Sequence, residues 1–261
     1  MNSEAPLLAE QRGAVRWLRL NRPRRRNALD PTLIDALDQA VTDAEADPGT
    51  TVLVIAGQGR SFCAGADLTH LLELATAGHN PVVFLSRVSA AFSRLEASEL
   101  PVVAAVHGHA VAGGLELALA CDVVIAAEDT MLGDGHVRNQ LLPAGGASVR
   151  LPRRAGPALA RYLMLTGDLM PAARLQASGW LHDVVPAAKL DDTAGRAAEL
   201  LAAAAGPAQS RVKRLLADTA ELSPTAALNA ELATFAAHWD SAPVADALRA
   251  FLAERSAVGQ Q

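Results

Sequence analysis

Short, uninterrupted apolar runs alternate with glycine-bearing loops along most of this chain, and the alternation predicts its elements. Val15–Leu20 (VRWLRL) reads as a short strand, and Asn21-Arg22-Pro23 after it is turn chemistry. Asp30 is placed to cap a helix that starts at Pro31 and runs through Leu33, Leu37 and Val41. Thr51–Ala56 (TVLVIA), Pro101–Val106 (PVVAAV) and Asp122–Ala127 (DVVIAA) have no polar alternation, which predicts strands covered on both faces. The first ends in the loop Gly57-Gln58-Gly59; the second leads through Gly108 to a helix starting near Gly113. Repeated strand–loop–helix order predicts an α/β core. From about Ala208 the pattern turns alanine-rich and helix-periodic over Ser210–Leu222, Thr225–Trp239 and Val244–Arg255, with Pro224 and Pro243 between them. The expected organisation is a core over residues 1–205 and a helical region over residues 206–261.

Composition narrows the function classes. A formal net charge of −5 argues against binding nucleic acid or an anionic membrane through bulk positive charge. The most apolar stretch, roughly Leu100 to Ala127, is broken by His107, His109, Glu116 and Asp122, so a buried core is expected and not a membrane span. Cys63 and Cys121 form no CxxC pair and no disulfide framework, and Met1 to Gly13 lacks a basic-then-apolar signal pattern. A cytoplasmic location is the expectation.

Two small-residue segments carry the candidate chemistry. Cys63-Ala64-Gly65-Ala66, followed by Asp67-Leu68, lets the backbone approach a ligand closely and leaves amides uncovered. Ala112-Gly113-Gly114-Leu115-Glu116 delivers glycines to a helix start, where the first N–H groups lack intrahelical partners. Two such amides converging on one point hold a developing oxyanion, an effect of about 3–4 kcal/mol per donor. Glu116 is the single formal charge between Ala110 and Cys121 and lies about one helical turn from that point. Desolvation there would raise its pKa toward the range of a general base or acid. Each feature alone has a plainer account: paired glycines serve tight packing, and the helix dipole favours Glu in any first turn.

In combination and order, these residues resemble the crotonase (enoyl-CoA hydratase/isomerase) superfamily. Asn21-Arg22-Pro23 with Asn27-Ala28-Leu29 resembles its LNRP…NAL opening, Ser61–Leu68 its F-x-x-G-A-D loop, and Pro101–Asp122 its P-x-x-A-x-x-x-G-x-x-x-x-G-G-x-E-L-x-x-x-C-D signature. The likeness continues through Leu151, Leu165-Thr166-Gly167-Asp168, Ala172–Gly179, Phe251 and Arg255. It implies an α/β crotonase/ClpP-like spiral of ββα units with a C-terminal helical trimerisation region, in a homotrimer or dimer of trimers. It also implies an acyl-CoA substrate, no cofactor beyond the CoA thioester acted upon, and no metal; a carrier-protein-bound acyl-pantetheine is the alternative if arginines do not replace the family's CoA-contacting lysines. The thioester carbonyl falls between the amides of Ala66 and Gly113. Glu116 matches the first of two catalytic glutamates, and the Ala64 carbonyl matches a contact to the CoA adenine.

The likeness breaks at the second glutamate, twenty residues on, where His136 stands with Asp134 nearby. An imidazole titrates near neutrality and suits the same proton transfer, although a lone histidine also serves as a hydrogen-bonded structural group. Thr69 and Glu254 stand where the family often has lysines, so Arg24, Arg25, Arg26 and Arg255 are the candidate phosphate contacts, beside Asp67, Leu68 and Phe251. His107 and His109 lack a third ligand at metal spacing, and Cys63 lacks an activating partner. Trp17, Trp180 and Trp239 read as core or interface. Hydration of a 2-enoyl thioester is the leading expectation. The alternatives are a Δ3,Δ2-enoyl isomerase or another enolate-forming enzyme, and a silent acyl-thioester binding or assembly subunit.

Overall fold

Six strands form the main sheet of the protein, seen in a computed structural model that describes residues 5–258, with the side chains of Glu254 and of residues 256–258 outside the description. In chain order the elements are β1 (Leu7–Arg12), β2 (Val15–Leu20), α1 (Pro31–Ala46), β3 (Val52–Gly57), α2 (Leu68–Thr76), α3 (Val82–Ala97), β4 (Val102–Val106), β5 (His109–Val111), α4 (Gly113–Leu119), β6 (Val123–Ala127) and β7 (Met131–Gly133). There follow α5 (Ala147–Ala155), α6 (Pro157–Thr166), β8 (Met170–Pro171), α7 (Ala172–Leu175), β9 (Asp183–Val185), α8 (Leu190–Ala203), α9 (Pro207–Thr219), α10 (Pro224–Ser241) and α11 (Val244–Val258). The sheet order is β1-β2-β3-β4-β6-β9, parallel throughout except for the β1–β2 hairpin.

Both faces of this sheet are covered, which is why its central strands read as unbroken apolar runs. Val52, Val54, Ala56, Val103, Ala105, Ile125 and Ala127 pack with Leu190, Ala194 and Ala198 of α8. Leu53, Ile55, Val102, Ala104, Val106, Val124 and Ala126 join the larger cluster, which includes Leu37 of α1, Phe92 of α3 and Leu115 of α4. Each central strand begins one residue later than its apolar run. Pro101 has no N–H to give a ladder, and the Asp122 carboxylate accepts the Val102 N–H at 2.7 Å.

A second, shorter layer creates the spiral. After β4 the chain enters β5 and then α4; after β6 it enters β7 and then, past a 3₁₀ turn at His136–Asn139, α5. After β3 the segment at Cys63 plays the short strand's part, bridging Ala110 of β5, before α2. Across this layer Leu29 bridges Ala66, Cys63 bridges Ala110, and β5 pairs with β7 in parallel. Consecutive turns of the spiral therefore set residues 63–66 directly beside residues 109–113.

Two compact units make up the chain, Met1–Ala203 and Ala204–Gln261. In the second, Ser223 caps α10 through the Ala226 N–H, and Arg211 on α9 reaches the Ser241 hydroxyl at the end of α10. Its helices carry exposed Leu216, Leu228, Leu232, Phe235, Trp239, Phe251 and Leu252. Trp17 and Trp180 are buried, whereas Trp239 is half exposed.

Candidate active site

Strand-like pairing on both sides fixes the 61–67 loop. The Leu29 N–H donates to Gly65 O and the Asp67 N–H to Leu29 O, both at 2.8 Å, while Cys63 exchanges main-chain bonds with His109 and Val111. In a parallel bridge the residues flanking the bridged one make the bonds, so the Ala66 N–H faces away from Leu29. Among the described residues it has no acceptor.

Gly113, the first residue of α4, likewise donates to nothing among the described residues, as expected of an opening helical turn. The two loops touch: a methyl on Gly65 would sit 3.1 Å from the Gly113 nitrogen, and one on Gly113 3.5 Å from the Ala66 nitrogen. Gly114 serves packing, because a methyl there would lie 2.0 Å from the Cys63 carbonyl oxygen. Just before Gly113, Ala112 holds φ 52° and ψ −117°. That conformation costs about 1–3 kcal/mol in a residue with a Cβ and persists where the surroundings enforce it.

Glu116 projects from the same first turn of α4 and is buried. Its Oε1 accepts the N–H groups of Gly145 at 2.8 Å and Ala147 at 3.0 Å, at the start of α5. Burial pushes its pKa up, and the nearby Asp134 charge adds to this; the two amides and His136 pull the other way without cancelling it. One oxygen is thus held by main chain, and Oε2 accepts no hydrogen bond from the described residues.

His136 opens the 3₁₀ turn after β7 and points Nδ1 at Oδ1 of the fully buried Asp134, 3.0 Å away. Burial opposes the charged imidazole, but the Asp134 hydrogen bond and the charges of Asp134 and Glu116 outweigh it and raise the pKa. Glu116, His136 and Asp134 therefore form one electrostatic cluster. Among the described residues, Oδ2 of Asp134 has no hydrogen-bond partner.

Other candidate residues fall in different places. Ala64 donates to Arg26 O at 3.0 Å, and its own carbonyl accepts nothing among the described residues. Leu68 is exposed at the start of α2, and Arg24, Arg25 and Arg26 are exposed as well. Asp67 has both oxygens engaged, one capping α2 through the Thr69 N–H and the other receiving Arg22. Phe251 and Arg255 lie on α11, the guanidinium carbon 5.8 Å from the ring centroid; the side chain of Glu254 lies outside the described residues. His107 bonds Gly59 O, and no cluster suited to a metal occurs among the described residues. Cys63 is fully buried, and burial pushes its thiol up to about 12.

In the sequence Arg22 and Asn27 stand out only as motif letters, and Gly145, Ala147 and Arg150 carry no signature of a role. Arg22 reaches Ala28 O, Asp30 and Asp67 together, joining the caps of α1 and α2. Asn27, wholly buried, donates to Gln58, Ser61 and Phe62 carbonyls and accepts the Arg22 N–H.

Geometry of this kind suits a class of enzyme that steadies negative charge on a carbonyl oxygen with main-chain donors and moves protons with side chains held alongside. The chain belongs to the enoyl-CoA hydratase/isomerase family, whose sequence profile matches residues 10–260, and its fold is the crotonase fold. It is 32% identical over 250 residues to the 2,3-dehydroadipyl-CoA hydratase of Escherichia coli, with 96% of each chain covered. It is 36% identical over 180 residues to the crotonyl-CoA hydratase of Syntrophomonas wolfei, covering 69% of this chain and 68% of that one. The crystal structure of an enoyl-CoA hydratase from Polaromonas superposes with a TM-score of 0.89 at 30% identity, covering 95% of this chain and 97% of the other. The protein is a hydratase-like enzyme of this family.

Proposed function

We propose that the protein adds water across the double bond of a 2-enoyl-CoA thioester, with the amides of Ala66 and Gly113 gripping the thioester oxygen. The observation that carries this reading is the adjacency of two uncommitted N–H groups on touching loops, with Glu116 in the helical turn that one of them opens. In the proposed step, Glu116 orients a water through Oε2 and takes its proton as the oxygen attacks the β-carbon. The electron pair moves through the α-carbon to the thioester oxygen, giving an enolate held by the two amides. Protonated His136, steadied by Asp134, delivers its proton to the α-carbon; passage of the water-derived proton from Glu116 to His136 restores the site. The names of the relatives, which are hydratases of enoyl-CoA thioesters, support the substrate class.

Crotonyl-CoA is the direct probe, followed by loss of enoyl absorbance. The wild type is expected to turn it over and Glu116→Gln to lose nearly all of that rate; unchanged turnover in Glu116→Gln would sink the proposal. His136 in the second glutamate's place is compatible with one alternative as well, the 3-enoyl to 2-enoyl isomerisation served by a single shuttling group. Conversion of a 3-enoyl-CoA without any hydration would select it.

The exposed apolar residues of α9, α10 and α11 support assembly of copies into a trimer or a dimer of trimers. Sedimentation equilibrium tests this, and a monomer at micromolar concentration would exclude it. Among the described residues, no helix is long and apolar enough to cross a membrane.

A further inference from the structure

We propose that Arg150 is a positioning residue for Glu116, acting through the Gly145-Gly146 turn without touching the carboxylate. The inference rests on the reading of Glu116 as the carboxylate of the hydration step. Both amides that hold Oε1 belong to the chain entering α5: Gly145 N–H at 2.8 Å and Ala147 N–H at 3.0 Å. The orientation of that entry is in turn fixed by Arg150, whose Nη1 donates to the Gly145 carbonyl at 2.7 Å. Its other donors run to α3, Nε to Glu96 at 3.0 Å and Nη2 to the Ser93 hydroxyl at 3.2 Å. The guanidinium is buried, and Gly146, with φ 105°, leaves it room that a Cβ would occupy at 2.1 Å from Nη1.

A continuous polar line therefore runs from α3 through Arg150 and the turn to Glu116. Only a planar fork with several donors spans these three acceptors at once; an ammonium reaches fewer of them. Remove it, and a buried carbonyl loses its donor while the turn holding Oε1 loses its anchor to α3. The groups that face Glu116 are His136 and Asp134 beyond β7, the Cys63 thiol and the two α5 amides. Glu96 is the charge that faces Arg150. The guanidinium makes no hydrogen bond to Glu116, so its influence is transmitted by main chain.

The test compares Arg150→Met and Arg150→Lys with the wild type, using crotonyl-CoA kinetics and a carbon-13 NMR titration of the Glu116 carboxyl, assigned by its loss in Glu116→Gln. Arg150→Met is expected to lower kcat about a hundredfold, the order of effect of a misplacement near 1 Å, with KM within about twofold. Glu116 should then titrate at higher pH, because the amides that favour its ionised form are loosened. Arg150→Lys should recover part of both. Should Arg150→Met not fold, Arg150→Lys and Glu96→Gln carry the same test, each expected to raise the Glu116 titration.

An unmoved Glu116 titration in every variant overturns the proposal, as does a fall in kcat matched by KM, which would mark a merely structural residue. The two readings separate cleanly. Full turnover by Glu116→Gln with a shifted Glu116 titration in Arg150→Met would end the hydration role and leave the positioning role. An inactive Glu116→Gln with no shift would do the reverse.

Discussion

Gly145→Ala changes one hydrogen to a methyl at the point where α5 meets the Glu116 carboxylate. The backbone of Gly145 lies outside the left-handed region, so alanine adopts its conformation without strain and the effect is confined to contact. The new methyl would stand 2.6 Å from Oε2 of Glu116, 2.9 Å from its carboxyl carbon and 3.0 Å from Cε2 of Phe92. Carbon and oxygen rest about 3.3–3.6 Å apart, so the carboxylate must withdraw by roughly 0.7–1 Å or rotate off its amides. Overpacking of this size costs about 1–3 kcal/mol of stability. A displacement near 1 Å at a reacting group costs about a hundredfold in rate, or about 2.7 kcal/mol of transition-state stabilisation. The proposed thioester grip belongs to other loops, so KM should stay close to the wild-type value. Crotonyl-CoA hydration measured beside a thermal melt separates the two effects. A folded Gly145→Ala protein with kcat within about threefold of wild type would refute both the closeness of Oε2 to the turn and its part in the reaction.

The pH profile of the proposed reaction follows from the two raised pKa values: the proposed step needs ionised Glu116 and protonated His136, so kcat/KM should rise through a pKa above the ordinary glutamate value and fall through one above the ordinary histidine value. Asp134→Asn removes the charge that raises both, so both limbs should move to lower pH, and an unmoved alkaline limb would show that His136 is not the acid. Cys63, buried with its thiol up at about 12, and buried Cys121 should both resist a thiol reagent in the native state at mildly alkaline pH and react once denatured; reaction of the native protein would contradict their burial. Arg22→Ala leaves Asp30, Asp67 and the Ala28 carbonyl without a shared donor and should lower the unfolding free energy in urea by about 1–3 kcal/mol, with no rescue by lysine; a loss below about 0.5 kcal/mol would show that these partners do not depend on it.

What was legible in the sequence and what was not divides along a physical line. Thr51–Ala56, Pro101–Val106 and Asp122–Ala127 announced themselves because two covered faces demand apolar residues throughout, and Asp30-Pro31 announced α1 because its cap is a side chain. β1 gave no signal: five of its six residues are exposed, so no alternation exists to read. The stretch from Leu71 to Arg94 had no predicted path, although Phe84, Val88, Ala91, Phe92 and Leu95 mark one buried helical face. Within the site, Glu116 and the glycines were visible as residue types, and a gap-free count from Glu116 pointed to His136. The rest is main chain or distant in sequence. An amide of Gly145 or Ala147 has no residue signature, and the arginine steadying that turn looks like any other cation until α3 is placed beside α5. The NRP…NAL opening reads as a motif, but its reason is the bonds that Arg22 and Asn27 make across the loops.

The exchange of a second glutamate for His136 has a consequence for how one buried cluster handles two protons. With two glutamates, one must be raised far above its ordinary pKa, about 4.3, to donate a proton near neutrality. Burial is the means, and desolvation opposes the charge of both alike. A histidine starts near the required value, and its problem is the reverse: burial lowers it. Asp134 answers that problem directly, hydrogen-bonding Nδ1 and lending a fixed negative charge that overcomes the burial. The same charge raises Glu116, so a single aspartate moves both limbs of the proposed acid–base pair together, while the α5 amides act on Glu116 alone. The two supports are separable in the fold, one in the turn after β7 and the other at the start of α5. In the proposed reaction, then, the pH window and the placement of the water-orienting carboxylate are set by different residues and respond to different substitutions.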